Sequence, residues 1–295
     1  MRIEHCVVSV PLWKCWPNED AWAIARSRAD RPFFAAVVDG HGGEMDECGD
    51  VPPKSSIVAE FAQTVAFGLR QQFILSPRPE HFPAVFDAIA RATDATFYPL
   101  VEAIRPPAKL SVGAVASALT ITRDRIHLAQ AGDCRLYKAV DSVEGFKVLS
   151  RDHNGANANE RERVRPFEAS GLIHFMVPSD WHETHVGRVL ERMCRLDASG
   201  EWLGSIEPTR GFGDWKYRPA MTHVPECVEI PLTGEASELF ALCSDGGNKI
   251  VEAVLCAFRG QTEVASLWEL EIQTLRELRD QDDDVTILYF RVRPK

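Results

Sequence analysis

No stretch of the chain approaches the roughly 18 consecutive apolar residues that a membrane-spanning helix needs, so no membrane association is expected. A secretory leader is missing too: MRIEHCVVSV carries Glu4 and His5 where a signal peptide needs an uninterrupted apolar core, and Arg2 excludes N-myristoylation. The 8 cysteines are scattered without a C-x-x-C pair, which removes zinc-knuckle spacing. Cys243 and Cys256 lie inside apolar runs, as buried free thiols do, so a reducing intracellular compartment, cytoplasmic or nuclear, is expected. Basic charge is in deficit: 33 Lys and Arg face 43 Asp and Glu, a net charge of −10. That balance lacks the basic footprint of a nucleic-acid binder. Repeats, low-complexity tracts and a Pro/Gly/Ser linker are also absent. With 295 residues, 45% hydrophobic and 26% charged, the expectation is one globular domain over 1–295, acting as a monomer.

Two catalytic signatures are missing as well. A cysteine phosphatase loop H-C-x₅-R would begin at His5-Cys6, but Leu12 stands at the Arg position. The stretch His182 to His185 is not H-E-x-x-H, because its second histidine comes one residue early.

What the chain does contain is a series of β-prone and helical runs. Strand-like runs occur at Val7–Leu12, Trp22–Arg26 and Phe33–Val38. One helical stripe comprises Ile57, Phe61, Val65, Gly68 and Leu69, with Ser55 or Ser56 as N-cap, and a second Phe82, Phe86, Ile89, Thr93 and Phe97. Pro106–Pro107 marks a break beyond it. Ala116–Thr122 and Ile126–Ala131 read as a hairpin joined by Arg123-Asp124-Arg125. Arg151–Gly200 is polar and reads as irregular structure with short helices. A strand is expected at Leu239–Cys243, then a late helix carrying Val264, Leu267, Trp268, Ile272, Leu275 and Leu278, and a closing strand at Val285–Val292. Short turns between strands suggest antiparallel sheets with helices packed outside.

Acidic signatures punctuate these runs: NEDA at Asn18–Ala21, VVDGHGG at Val37–Gly43, AGDCR at Ala131–Arg135, CSDGG at Cys243–Gly247 and DDDVTI at Asp282–Ile287. Taken singly, each has a plain explanation, since Asp-Gly after a strand is a common turn and an acidic cluster can protect a sheet edge. Four of them place an Asp at the end or start of an apolar strand-like run, which is how a fold gathers distant carboxylates at one sheet edge. Clustered carboxylates repel unless cations hold them, which points to a hard-metal site of Mg²⁺ or Mn²⁺ type.

The order of these motifs resembles the type 2C (PPM) metal-dependent protein serine/threonine phosphatases. The matching positions are Glu19-Asp20, Asp39–Gly43, Gly132–Arg135, Asp152-His153, the TRGFGD segment from Thr209 to Asp214, Asp245-Gly246 and Asp283-Asp284. The resemblance implies an α+β fold, a four-layer α-β-β-α sandwich of two antiparallel sheets flanked by helices. It implies hydrolysis of phosphoserine and phosphothreonine in proteins by a hydroxide bridging two Mn²⁺ or Mg²⁺ ions. By the same resemblance Asp39 bridges both ions, Gly40 lends its carbonyl, and Asp245 and Asp283 complete one side. Glu19 acts through a water, Asp133 with Asp245 forms the pair for a third, weaker ion, and His41 is the general acid for the leaving oxygen.

Two positions depart from the family pattern. Cys15 stands where the family carries an Arg that grips substrate phosphate, which leaves the adjacent Lys14 as the candidate phosphate contact. Lys249 replaces an Asp after the Asp245-Gly246 turn. These departures motivate an alternative, a pseudophosphatase binding or scaffold module of the same fold with weak or no turnover. A phosphatase for small phosphorylated metabolites shares the same metal chemistry.

Overall fold

The structure, a computed structural model, describes residues 1–11, 17–26, 32–44, 56–103, 110–171, 173–176, 191–196, 199–200, 202–259, 266–278 and 283–294. Lys14, Cys15, Ser55, Pro106–Pro107, the stretch His182 to His185, Val264 and Asp282 lie outside the described residues.

Two antiparallel sheets form the centre. In the first, the strands run in the order β12(Glu226–Pro231), β5(Arg125–Ala131), β4(Leu110–Ile121), β3(Phe33–Glu44), β2(Asp20–Arg26), with β11(Phe212–Gly213) pairing to β4. In the second, the order is β1(Arg2–Val10), β14(Val285–Arg293), β13(Glu238–Cys243), β6(Arg135–Ala139), β7(Phe146–Val148). The central strands read as continuous apolar runs because both of their faces are buried. Along β3, Phe33, Ala35 and Val37 face the other sheet, while Phe34, Ala36 and Val38 face helices α1(Ser56–Leu75) and α2(Phe82–Ala103). On the second sheet, Phe240, Leu242, Leu288 and Phe290 point inward, and Leu239, Ala241, Ile287 and Tyr289 face outward. They meet helices α4(Asn248–Ala257) and α5(Leu267–Glu277). The result is the α-β-β-α sandwich. Its inter-sheet layer includes the stacked Phe240 and Phe290 rings, 5.2 Å apart; truncating either would cost about 3–5 kcal/mol.

The stripe on α2 is buried as its spacing implies: Phe82, Phe86, Ile89, Thr93 and Phe97 all lie in the interior. The late helix differs. Trp268 is 66% exposed and Leu275 51%, and the buried positions are Leu270 and Thr274. Thr274 belongs inside because its hydroxyl bonds both the Leu270 carbonyl and Tyr289 Oη, so a polar residue replaces an expected apolar one.

The Arg151–Gly200 stretch is more regular than its composition implies. It holds α3(Ala158–Glu168), β8(Ile173–Met176) and β9(Arg192–Leu196), and these two strands form a small antiparallel sheet with β10(Trp202–Ile206). Strands of four or five residues bearing Arg192 and Arg195 carry too little apolar alternation to be read from sequence.

Candidate active site

The parity of β3 decides what meets at the sheet edge. Asp39 and His41 continue the odd-numbered series that faces the other sheet, and residues two apart share a face. Asp20 lies directly opposite Asp39 in the β2–β3 register. Paired residues point the same way, so Asp20 is the member of the Glu19-Asp20 pair on the Asp39 face. Glu19 is held there by its backbone: its N–H donates to Asp284 Oδ2 at 2.7 Å and its carbonyl accepts from Gly40 N at 3.2 Å. Helix α1 presses on the same point, and a Cβ on Gly40 would lie 2.6 Å from the Glu19 oxygen.

The second sheet supplies the other side. Ser244 Oγ donates to Asp20 Oδ2 at 2.7 Å, and the next residue, Asp245, donates its N–H to Asp39 Oδ2 at 3.4 Å. Asp283 and Asp284 stand at the entrance to β14; the first is exposed and the second buried. Asp133 sits in the turn between β5 and β6. His153 pins that turn, accepting from Gly132 N–H on Nδ1 while its Nε2 lies 3.0 Å from Glu226.

These carboxylates perturb one another. Burial, then the charges of Asp245, Asp20, Asp283 and Asp133, push the Asp39 pKa well above the usual carboxylate range. Asp20 is raised by burial against the opposing Ser244 hydrogen bond, with Asp284, Asp245 and Asp283 adding to it. Asp133 is raised by burial, then by Asp245, Glu207 and Asp152. Desolvated, mutually repelling oxygens with few cations between them are a donor set suited to hard divalent ions. Among the described residues, no group of three or more His, Cys, Asp or Glu side chains is gathered closely enough to hold an ion as it stands. The carboxylates ring the edge; they do not converge on one point.

Beside them lies a dyad. His41 Nε2 is 2.8 Å from Asp214 Oδ2. Asp214 is fully buried, adopts a left-handed backbone (φ 47°), and also accepts from Ser111 Oγ at 3.3 Å. His41, Gly113 and Gly213 form one row across β3, β4 and β11. A Cβ on Gly113 would fall 2.1 Å from Asp214 Oδ2 and 2.5 Å from His41 Nε2, so only glycine leaves room for the pair. Burial pulls the His41 pKa down, but the Asp214 charge and hydrogen bond outweigh it, with Asp133 and Asp245 contributing, and the net shift is upward. With Nε2 committed to Asp214, a protonated His41 presents Nδ1–H as its free donor.

The loop that carries Asp214 is clamped from two directions. Asp94 on α2 accepts from Trp215 Nε1 at 2.8 Å and from both terminal nitrogens of Arg218 at 2.6 and 2.9 Å. Glu160 on α3, buried, accepts from Arg163, Arg210 and Thr209.

The structure therefore brings Glu19, Asp39, Gly40, Asp133, Asp245 and Asp283 to one edge, with His41 alongside. Three carboxylates to which the sequence motifs gave no role, Asp20, Asp214 and Asp284, lie beside them. Asp20 is discoverable from the two-residue strand period, given a β2–β3 pairing. Asp214 lies within TRGFGD, but 173 residues separate it from His41, and no sequence period connects them.

A model of the family described as protein phosphatase 2C matches residues 17–253. The chain is 28% identical over 281 residues to probable protein phosphatase 2C 74 of Oryza sativa subsp. japonica, covering 92% of this chain and 61% of that protein. It superposes on serine-threonine phosphatase 2C from Toxoplasma gondii with a TM-score of 0.64 at 15% identity, covering 98% of this chain and 94% of that one. The catalytic domain of the serine threonine protein phosphatase PstP in complex with two manganese ions gives 0.53 at 19% identity, covering 99% and 98%. The chain spans 34% to 62% of the length of the curated relatives it matches. With the family model spanning most of its residues, the chain belongs to the protein phosphatase 2C family.

Proposed function

We propose that residues 1–295 form one catalytic domain, a Mn²⁺- or Mg²⁺-dependent phosphatase acting on phosphoserine and phosphothreonine in proteins. The observation that carries this is the delivery of acidic groups from both sheets to a single edge with the His41–Asp214 dyad beside them. The manganese ions named for PstP support the same choice of metal. Asp39, the Gly40 carbonyl, Asp245 and Asp283 would hold two ions, with Asp20 and Glu19 bordering them and Asp133 with Asp245 offering a third, weaker position. Two divalent cations bound there would supply an acidified water as nucleophile and neutralise phosphoryl charge.

The protein's own contribution is orientation and proton delivery. The Asp20–Asp39 register and the Ser244 bond fix the direction of the carboxylates before any ligand arrives. Asp214 orients His41 and favours its protonated form, so that Nδ1–H can protonate the departing Ser or Thr oxygen. Lys14 is retained as the proposed phosphate contact.

The runner-up is a pseudophosphatase module. Lys249, exposed in the first turn of α4 and close behind Asp245, favours it by placing a cation where the family carries an acid. Among the described residues no helix is long and apolar enough to cross a membrane. The proposal keeps the protein a monomer of a reducing cytoplasmic or nuclear compartment; the described cysteines, Cys6, Cys134, Cys194, Cys227, Cys243 and Cys256, are free thiols.

The test is phosphate release from a phosphothreonine peptide, with Mn²⁺ and after chelation, for the wild type and Asp39→Asn. Metal-dependent release, reduced at least about a hundredfold by the substitution, is expected. Undetectable release at high enzyme would favour the pseudophosphatase, and metal-independent release would refute the two-ion site.

A further inference from the structure

Between the outer edge of β2 and helix α1 lies a cavity of about 280 Å³ whose lining includes Ser9, Asp20, Trp22, Gln63, Phe67 and Arg70. β2 ends the first sheet, so among the described residues this side of the strand has no strand neighbour. Trp22 is 46% exposed and Phe67 60%, two aromatic faces on opposite walls. Gln63, Phe67 and Arg70 fall at i, i+4 and i+7 of α1, on one face of the helix.

Arg70 is the cation of this lining. Its Nε donates to the Ile24 carbonyl at 3.1 Å, which anchors the guanidinium against the strand edge. Beyond that bond it has no hydrogen-bond or ion-pair partner among the described residues. Its two terminal nitrogens are therefore a preorganised, unused fork of the kind that receives a carboxylate. Ile24 lies four residues beyond Asp20 along β2, which is about 13 Å at ~3.3 Å per residue. An extended peptide covers that span in about four residues.

We propose that this cavity is a substrate-recognition subsite: a phosphopeptide lies extended along β2, with an acidic side chain three to four residues from the phosphorylated one paired to Arg70. The inference rests on the phosphatase reading, because the phosphoryl group must lie at the carboxylate edge for the spacing to apply. Trp22 and Phe67 receive an intervening apolar side chain. Two anchors set the register: the phosphoryl group at the carboxylate edge and the acidic side chain at Arg70, the cation of the far end.

The test is anisotropy of labelled peptides bound to the Mn²⁺-loaded protein, each carrying a non-hydrolysable phosphonate analogue of phosphothreonine. The peptides carry Glu, Gln or a second phosphonate four residues to either side. On one side Glu should bind about fivefold tighter than Gln, the ratio falling to unity in Arg70→Gln and inverting in Arg70→Glu. Gln63→Lys, which alters an exposed position, should raise it. Turnover of p-nitrophenyl phosphate, too small to reach the cavity, should be unchanged in all three variants. A second phosphonate that outbinds Glu in an Arg70-dependent way would support the anionic subsite and identify phosphate as its occupant. Equal binding of Glu and Gln peptides to the wild type on both sides, or a ratio that survives Arg70→Gln, would overturn the subsite while leaving the phosphatase intact. A wild type inert towards p-nitrophenyl phosphate that keeps the Arg70-dependent preference would instead sink the phosphatase reading and retain the peptide site.

Discussion

At position 113 the space for one methyl group decides whether His41 and Asp214 can meet, since a Cβ there would lie 2.1 Å from the Asp214 oxygen. Gly113→Ala should therefore lower phosphothreonine-peptide turnover by at least about tenfold. It should spare p-nitrophenyl phosphate more, because its phenolic leaving group needs less help from an acid. Equal losses on both substrates would argue that the substitution acts on metal or phosphate binding. Asp214→Asn addresses proton affinity. Asp214 raises the His41 pKa against burial, and the proposed general acid is the protonated His41, which is present below that pKa. Removing the charge lowers the pKa, so the alkaline limb of the kcat/KM profile should move to lower pH. An unmoved limb would assign it to another group. The carboxylate edge was legible in the chain's motifs because four of the five acidic signatures place an Asp at the end or start of an apolar run. The dyad was not, since β3, β4 and β11 must first align for His41, Gly113 and Gly213 to share a row.

Among the elements, α3 and the segment leading into β11 are joined through Glu160, which is 1% exposed. Burial alone would raise its pKa, but hydrogen bonds and charge from Arg210, Arg163 and Thr209 pull it down to about 2. Because the folded value lies below the unfolded one, the stabilisation is complete above about pH 4.5 and is lost as pH falls towards 2. It amounts to about 3 kcal/mol. Urea unfolding of the wild type should lose stability across that window, and Glu160→Gln should be less stable at pH 7 yet flatter with pH. Parallel curves would show that the acid loss arises elsewhere. Legibility at this scale follows the strength of the period. On α2, Phe82, Phe86, Ile89 and Phe97 mark one face over 22 residues. Helix α4 was not anticipated: it has 10 residues, follows the Asp245-Gly246-Gly247 turn without a side-chain cap, and carries only Ile250, Val251, Val254 and Leu255 as signal. For α5, periodicity alone chose Trp268 and Leu275, whereas packing against Tyr289 selects Leu270 and Thr274.

For the molecule as a whole, the carboxylate edge opposes the stability of the ligand-free fold. Asp20, Asp39 and Asp133 have folded pKa values raised above their unfolded ones, so each destabilises the fold increasingly as pH rises above about 4. Asp20→Asn removes one buried charge while keeping an acceptor for Ser244. In chelator it should raise the melting temperature at pH 8, by about 2–4 °C for each kcal/mol relieved. A lower melting temperature would show that Asp20 is already compensated. Mn²⁺ should stabilise the wild type further, since a ligand that binds only the folded state raises its stability. Calorimetric titration of Mn²⁺ into chelator-stripped protein tests the cation site most directly. Saturable binding of about two ions per chain, with the Asp39-dependent component lost in Asp39→Asn, is the expected result. Absence of binding, or an isotherm unchanged by the substitution, would contradict it.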